Sequence, residues 1–563
     1  MKKNKNILYL LIFFIFSLMT SLPFFLENSS VRSDFIFHLT RIDALKNNLQ
    51  DGLLFHPIYY SSLNGFGYAN PSFYPDLLLY IPAVFNLMGV SLLASYGLFN
   101  LLIMLSTALT AFYVSKVIIK DDLNSFILAI FYTFATDKVV EVIHLGRISY
   151  NQIYIFIPIL ILGIYYCYYT ENKNKWYLIA LSMFFLLNSH LISTAIIALL
   201  LTVFALINHK KTFKKEIFQQ LIKSIALFIG LSALFILPML EMLLSGDYLF
   251  SIGNPFNSFL TFADKYLSFD TSDFQVQLLL LNTVIIAILT TLIACLIKLY
   301  HQKKLNLNIT IGLISLLLYL YSKVVLSDLF PWLILVDTLP FLEVLQYPAR
   351  LIMFKFIFLA ISVSCLSSIV KHKEVIFILV VGYIFYQLSI YTNIRIVDYR
   401  QNDYTYKVTH DYEVTGNEIG MGEYLPMNFP INRLPADIEI PFIYDREQFP
   451  ISEDNGVIIT DYTKDKSSIK FSGELVNNEV KVELPLTYYK GYKYYVNGVK
   501  YDAQMSDNGL VSIDLKMEDT KTNGVFECEV AYELTIINKL SKLITTSTLL
   551  SVTYLYFKNK KGY

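Results

Sequence analysis

Long apolar runs alternate with short polar loops through the first 392 residues of the chain. A helix of roughly twenty apolar residues is long enough to cross the hydrocarbon core of a membrane, so each full-length run predicts a transmembrane helix. The full-length runs occupy residues 7–26, 91–119, 153–169, 218–244, 278–300, 309–325, 351–370, 375–391 and 540–557.

Three apolar stretches depart from this length. Residues 77–88 are short for a span and contain Pro82, which predicts a helix lying in the outer interface. Residues 123–135 predict a second short helix. Residues 176–207 are interrupted by Asn188-Ser189-His190 and predict two short helices joined by an outer turn. The pattern as a whole predicts an α-helical polytopic membrane protein with about twelve spans.

Residues 393–537 are more polar than the preceding chain, and their apolar and polar side chains alternate with a period of two. Residues 479–484 alternate charged and apolar side chains, as a strand with one buried face does. Asn-Gly pairs at 455–456, 497–498 and 508–509 are typical of tight hairpin turns. We therefore expect a mostly β, sandwich-like domain between a membrane domain of residues 1–392 and a final span with a basic tail, residues 538–563.

Lysine-rich loops set the predicted orientation. Lys2, Lys3 and Lys5 precede the first run, which is too long for a signal-peptide core and is expected to be retained as a span. Because basic loops stay on the cytoplasmic side, the first polar loop, residues 27–76, is predicted to lie outside. The basic segments 209–215, 301–304, 371–373 and 558–561 then all fall on the cytoplasmic side. Both termini are predicted to be cytoplasmic and residues 393–537 to be outside.

Composition agrees with a membrane protein and excludes other classes. The 563 residues are 55% hydrophobic and 16% charged, against a charged share of about a quarter in soluble domains. A net charge of +0 argues against a nucleic-acid partner, because phosphate binding needs a concentrated basic surface. The four cysteines form no disulfide or zinc pattern.

Candidate chemistry gathers at the predicted outer ends of the spans. If residues 32–43 are helical, Asp34, His38 and Arg41 lie at spacings of four and three on one face, so one face would carry a base and two cationic partners. Arg147 follows a short helix on the outer side, and Arg350 begins a span there against the charge rule.

The chain resembles the GT-C class of membrane glycosyltransferases, and within it most closely the bacterial YfhO-like and PTPS-related membrane proteins. The order of an acidic motif after the first span, an outer loop, a tyrosine-proline segment and an interfacial helix is similar to that class. Asp76 departs from the pattern where many relatives have a second proline, and Ala349 where many have tryptophan. The stretches that carry the resemblance are residues 34–42, 65–75, 346–350 and 488–498.

The resemblance implies an enzyme that moves a sugar from a polyprenyl-phosphate donor to an acceptor at the outer face of a bacterial cytoplasmic membrane. Its partners would be the lipid-linked donor, membrane lipid and an envelope glycan, teichoic acid, glycolipid or protein acceptor. Asp34 is the predicted general base. A divalent ion, Mg²⁺ or Mn²⁺, assists many relatives, and Asp34, His38 and Asp76 are its candidate ligands here. The predicted substrate-binding residues are His38, Arg41, Tyr74, Arg147, His190 and Arg350.

Simpler interpretations stay open for these residues. Asp34 can cap the helix that follows the first span, and a helix cap is the favoured interpretation of Asp76. Arg41 and Asp43 can form an interfacial ion pair. His190 is favoured as a satisfied polar break between two helices.

Two other functional classes also stay open. A transporter or lipid flippase would place charges deep in several spans, whereas the charges here collect at span ends. A catalytically silent envelope scaffold would bind polymer or protein through its outer domain.

Overall fold

The computed structural model describes residues 2–26, 29–31, 33–135, 138–139, 146–171, 173–249, 307–326, 330–345, 348–368, 372–397, 406–408, 419–420, 422–433, 438–452, 455–466, 468–521 and 524–560. The predicted span at 278–300 and the residues Gln346 and Tyr347 lie outside these ranges. The chain forms two compact units. The first comprises Met1–Phe35, Leu93–Ser224 and Asn254–Asp411, and the second comprises Ile36–Leu92, Ile225–Gly253 and Tyr412–Tyr563.

Six helices in the described part of the chain are long and apolar enough to cross a membrane. They are Lys5–Phe25, Leu92–Ile119, Ile148–Tyr169, Lys215–Ser245, Leu307–Val325 and Lys373–Ile390. Shorter apolar helices are Leu77–Leu87, Asp122–Phe134, Tyr177–Leu187, Leu191–Ile207 and Ile352–Ser367. These helices indicate a membrane-embedded protein, and the count of about twelve spans stays a prediction.

The predicted break at Asn188-Ser189-His190 is confirmed. Helix Tyr177–Leu187 ends before it and helix Leu191–Ile207 begins after it. His190 is the residue before the second helix, and its Nδ1 accepts a hydrogen bond from the Ser193 backbone N–H at 3.2 Å. The break therefore satisfies a backbone donor that the new helix would otherwise leave without a partner.

Helices of the first unit pack through small and hydroxyl side chains. A Cβ built on Gly312 would lie 2.9 Å from Leu366, so helix Leu307–Val325 approaches helix Ile352–Ser367 closely. The Ser364 hydroxyl donates to the Asn124 carbonyl at 2.7 Å and joins helix Ile352–Ser367 to helix Asp122–Phe134. Such contacts are common between membrane helices, because close approach and interhelical hydrogen bonds hold them together in lipid.

The second unit contains the predicted β domain from residue 412 onward, and its core is built from two antiparallel sheets. Alternate residues of both sheets, including Phe471, Val482, Ile513 and Val530, enter one buried core. The longer central strands thus have one face in the core, as their two-residue period predicts. The five-stranded sheet has the order Val499–Asp502, Tyr492–Val496, Val525–Tyr532, Ser468–Leu475 and Val457–Asp465, and the four-stranded sheet has the order Gln504–Met505, Leu510–Lys516, Glu479–Thr487 and Ile451–Ser452.

The predicted turn at Asn497-Gly498 joins two paired strands. Asn497 has φ 48° and Gly498 has φ 86°, and Val496 pairs with Val499 across the turn. Two successive residues with positive φ define a type I′ turn, which asparagine and glycine adopt most easily. The hairpin prediction is therefore confirmed in this part of the domain.

Helix Ile536–Lys560 follows the β domain and covers the predicted last span, although it is not among the six helices above. It packs on helix Lys215–Ser245 within the second unit, where a Cβ on Gly230 would lie 2.5 Å from the Thr548 hydroxyl oxygen. The Leu234 N–H donates to Thr545 Oγ1 at 3.0 Å, and the Thr545 hydroxyl donates to the Gly230 carbonyl at 3.3 Å. The final helix is thus tied to the backbone of its neighbour.

Candidate functional site

Asp34 and Arg147 form an ion pair in the first unit. Asp34 lies in the first turn of helix Ser33–Gln50, and Arg147 immediately precedes helix Ile148–Tyr169. Arg147 Nε donates to Asp34 Oδ2 at 3.0 Å, and the Asp34 side chain is 48% exposed against 17% for Arg147. The carboxylate is thus held by a guanidinium on one side and accessible on the other.

Gly146 brings the two halves of this pair together. Its φ of +63° is left-handed, and a Cβ at this position would lie 2.5 Å from the Phe35 Cβ. The Tyr96 hydroxyl donates to the Gly146 carbonyl at 3.0 Å and fixes the segment. Phe35 is fully buried and stacks on Phe24 with ring centroids 5.5 Å apart. Only glycine combines this backbone angle with this close approach.

His190 and Arg350 form a second pair in the same unit. Arg350 Nη1 lies 2.7 Å from His190 Nε2, and His190 is buried. His190 Nδ1 faces Ser193, whose backbone N–H donates to it at 3.2 Å and whose hydroxyl lies 2.8 Å away. The imidazole therefore joins the start of helix Leu191–Ile207 to the guanidinium of Arg350.

The start of helix Ile148–Tyr169 connects the two pairs. Arg147 precedes this helix, and the ring of Tyr150 in its first turn meets the His190 ring edge-on at 5.4 Å. Four of the predicted residues, Asp34, Arg147, His190 and Arg350, therefore gather at one end of one helix. The predicted topology places this end of helix Ile148–Tyr169 on the outer side of the membrane.

His38, Arg41 and Tyr74 form a separate cluster in the second unit. Arg41 is buried, donates to the Pro75 carbonyl at 2.7 Å and lies 4.4 Å over the Tyr74 ring. His38 Nδ1 lies 3.4 Å from Arg41 Nη1. Burial, and then the charge of Arg41, hold the pKa of His38 well below its usual value. His38 is therefore neutral, which corrects the prediction of two cationic partners on this face.

The structure also corrects two interpretations of acidic side chains. Asp76 makes no capping hydrogen bond to the turn Leu77–Leu79 and instead accepts from the Tyr59 hydroxyl at 2.9 Å. Burial raises the pKa of Asp76 to about 6, although Arg41 and the Tyr59 hydrogen bond oppose the rise. Asp43 pairs with Lys46 at 3.1 Å and not with Arg41, whose guanidinium holds the loop carbonyl of Pro75.

The predicted metal ligands already have other partners. Asp34 contacts Arg147, His38 contacts Arg41 and Asp76 accepts from Tyr59. Within the described residues, no three or more His, Cys, Asp or Glu side chains are arranged to hold a metal ion. A guanidinium beside a carboxylate or an imidazole competes with a metal for it, so these groups do not fit a metal site as they are arranged.

Lys138 and Tyr150 belong to the same region and were not predicted. Lys138 is fully buried, and its Nζ lies 4.1 Å from the centre of the Tyr154 ring and 5.4 Å from that of Tyr132. Lys138 could have been identified from the sequence, because it is a basic residue on the predicted outer side, where basic residues are unusual; the same criterion identified Arg350. Tyr150 gave no signal, because one tyrosine among 42 is not distinctive.

Comparison with known proteins finds a distant relative over nearly the whole chain. The chain is 23% identical over 556 residues to an uncharacterized protein of Lactococcus lactis subsp. cremoris (strain MG1363). The match covers 91% of this chain and 89% of that protein, so it runs through both the helical part and the β domain. No family model and no solved structure matches the chain.

Proposed function

We propose that the protein is a membrane glycosyltransferase that moves a sugar from a polyprenyl-phosphate donor to an acceptor. One observation carries the proposal: an accessible carboxylate, Asp34, lies at the same helix end as the guanidinium groups of Arg147 and Arg350. Transfer from a lipid phosphate needs a base for the acceptor and cations for the leaving group, and this helix end supplies both.

Asp34 is proposed to act on the acceptor. Arg147 contacts Oδ2, so Oδ1 can face an acceptor hydroxyl. As the acceptor oxygen attacks the anomeric carbon, its proton passes to the carboxylate of Asp34. The bond between the anomeric carbon and the phosphate oxygen breaks, and its electron pair leaves with the lipid phosphate. The products are the glycosylated acceptor, the carrier phosphate and a protonated Asp34 that later returns its proton to water.

The arginines are proposed to act on the leaving phosphate. A guanidinium offers several N–H donors in one plane and holds phosphate oxygens with two hydrogen bonds. His190 Nε2 lies 2.7 Å from Arg350 Nη1 and so positions its guanidinium. In the second unit, Arg41 anchors the loop that carries Tyr74 and Pro75, and we assign it and His38 to shaping that loop rather than to binding phosphate.

The proposal places the reaction at the outer face of a bacterial cytoplasmic membrane. The donor would diffuse in the bilayer, and the β domain would select an envelope glycan, teichoic acid, glycolipid or protein as the acceptor. Because the described carboxylates and imidazoles do not fit a metal site, the steps proposed here use groups of the chain alone.

The test compares Asp34→Asn with wild type in membranes preloaded with radiolabelled polyprenyl-phosphate sugars. Asparagine keeps the shape of the side chain but cannot accept the proton, so transfer should fall by about 10²- to 10⁴-fold. Asp43→Asn is the matched control, since it lies on the same helix in an ion pair with Lys46 and should retain activity.

Equal transfer by wild type and Asp34→Asn would remove Asp34 from the mechanism. Absence of sugar transfer with every donor would favour a transporter, flippase or scaffold over an enzyme.

A further inference from the structure

The amino group of Lys138 is buried, and the proposed reaction leaves it without a role. Its side chain has no exposed surface, and its Nζ makes no hydrogen bond in the described part of the chain. The contacts it does make are with the faces of Tyr154 and Tyr132, which attract a cation but do not replace a counter-ion. Burying a charged group without a partner is costly, so a site of this kind is suited to an anionic ligand.

Ring contacts link Lys138 to the His190–Arg350 pair within the first unit. Tyr154 contacts Tyr150 with ring centroids 5.8 Å apart, and Tyr150 contacts His190 at 5.4 Å. Arg350 completes the chain of contacts at 2.7 Å from His190. No carboxylate in the described residues pairs with Lys138, whereas Arg147 is paired with Asp34. Among the described residues, the region therefore carries more basic than acidic side chains.

We infer that Lys138 binds a phosphoryl oxyanion, which under the proposed function is the phosphate of the donor lipid. The aromatic faces of Tyr132 and Tyr154 hold the ammonium in place, and the phosphate supplies the missing counter-charge. This inference deepens the proposed function by assigning a residue to its donor, and it rests on that function only for the identity of the lipid. A phosphoryl group suits the site because its charged oxygens accept strong hydrogen bonds from an ammonium group.

Proton uptake distinguishes this role from a structural one. Burial lowers the pKa of Lys138 well below its usual value, so burial favours the neutral amine before the ligand binds. A bound phosphate favours the charged form, and the complex must then take up a proton. The groups that face or adjoin Lys138 are the tyrosines at 132, 150 and 154 and, beyond them, His190 and Arg350. Comparison with Lys138→Met isolates the lysine from these groups.

The experiment is calorimetry of the purified full-length protein in detergent with farnesyl phosphate and, separately, with inorganic phosphate. Titrations at pH 8 in buffers of different ionisation enthalpy give the number of protons taken up, because a phosphate monoester with its second pKa near ~6 is already a dianion there. Wild type should bind farnesyl phosphate with proton uptake, and Lys138→Met should bind at least tenfold more weakly with the uptake lost. Tighter binding of farnesyl phosphate than of inorganic phosphate identifies the ligand as a lipid phosphate, and equal binding identifies a free-phosphate site.

Lys175→Met is the matched control. Lys175 lies 4.3 Å from the ring of Tyr166, near the far end of helix Ile148–Tyr169 from Tyr150. Its loss should therefore leave binding and proton uptake unchanged. Equal affinity of wild type and Lys138→Met, or absence of proton uptake by wild type, overturns the inference, and the second outcome holds even if the variant fails to fold. Sugar transfer measured in parallel separates the two proposals. Binding of farnesyl phosphate without sugar transfer contradicts only the proposed enzymatic function. Sugar transfer that is unaffected by Lys138→Met contradicts only the proposed role of Lys138.

Discussion

Replacing Gly146 by alanine should weaken both the fold and the Asp34–Arg147 pair. A non-glycine residue in the left-handed region costs about 1–2 kcal/mol. The new methyl group would also lie 2.5 Å from the Phe35 Cβ and 2.8 Å from its Cα, so the backbone must move, and overpacking of this kind costs about 1–3 kcal/mol. Together the two effects predict a loss of roughly 2–5 kcal/mol of stability.

Gly52→Ala is the control that separates the two contributions. Gly52 has φ +74° and a Cβ there meets nothing within 4 Å, so this variant should lose the backbone contribution alone. Thermal unfolding in a mild detergent, followed by intrinsic fluorescence, should therefore show a larger drop in Tm for Gly146→Ala than for Gly52→Ala. Sugar transfer should fall only in Gly146→Ala, because that substitution displaces Arg147 from Asp34. Equal Tm values for the two variants would refute the packing argument.

Two further predictions concern the second unit. Thr545→Val should lower the stability of the detergent-solubilised protein by about 1 kcal/mol, seen as a lower Tm, because it removes the interhelical hydrogen bonds to Leu234 and Gly230; an unchanged Tm would contradict this. Asp76 has a folded pKa of about 6, above its value of 3.8 in an unfolded chain, so its contribution to stability is complete below pH 3.8 and is lost as the pH rises through 6. Asp76→Asn should therefore flatten the dependence of Tm on pH between 4 and 6, and the same slope in wild type and variant would show that Asp76 does not titrate there.

Local patterns predicted local structure well in this chain. The polar interruption at residues 188–190 became a helix break because His190 can satisfy a backbone donor, and Asn497-Gly498 became a hairpin turn because both residues tolerate positive φ. In each case the deciding contacts lie within a few residues of one another. A pattern of a few consecutive residues therefore contains the information needed to predict these features.

Long-range pairing could not be predicted in the same way. Asp34 meets Arg147, and His190 meets Arg350, across large separations that no periodicity encodes. Helical spacing correctly grouped Asp34 with His38 and Arg41 on one helix, yet burial made His38 neutral and a loop carbonyl engaged Arg41. Which partner a charged residue finds depends on tertiary packing.

The contact between Thr545 and the backbone at Gly230 has a consequence for biosynthesis. Helix Ile536–Lys560 is not among the six helices apolar enough to cross a membrane by composition, and it follows helix Lys215–Ser245 in the chain. A helix of this polarity gains less from lipid than the others do, so its insertion depends on a partner helix that is already in place. Docking of helix Ile536–Lys560 would then be a late assembly step, and a protein truncated before Ile536 would leave the backbone at Gly230 without its Thr545 contact, so we expect faster degradation of that protein in cells.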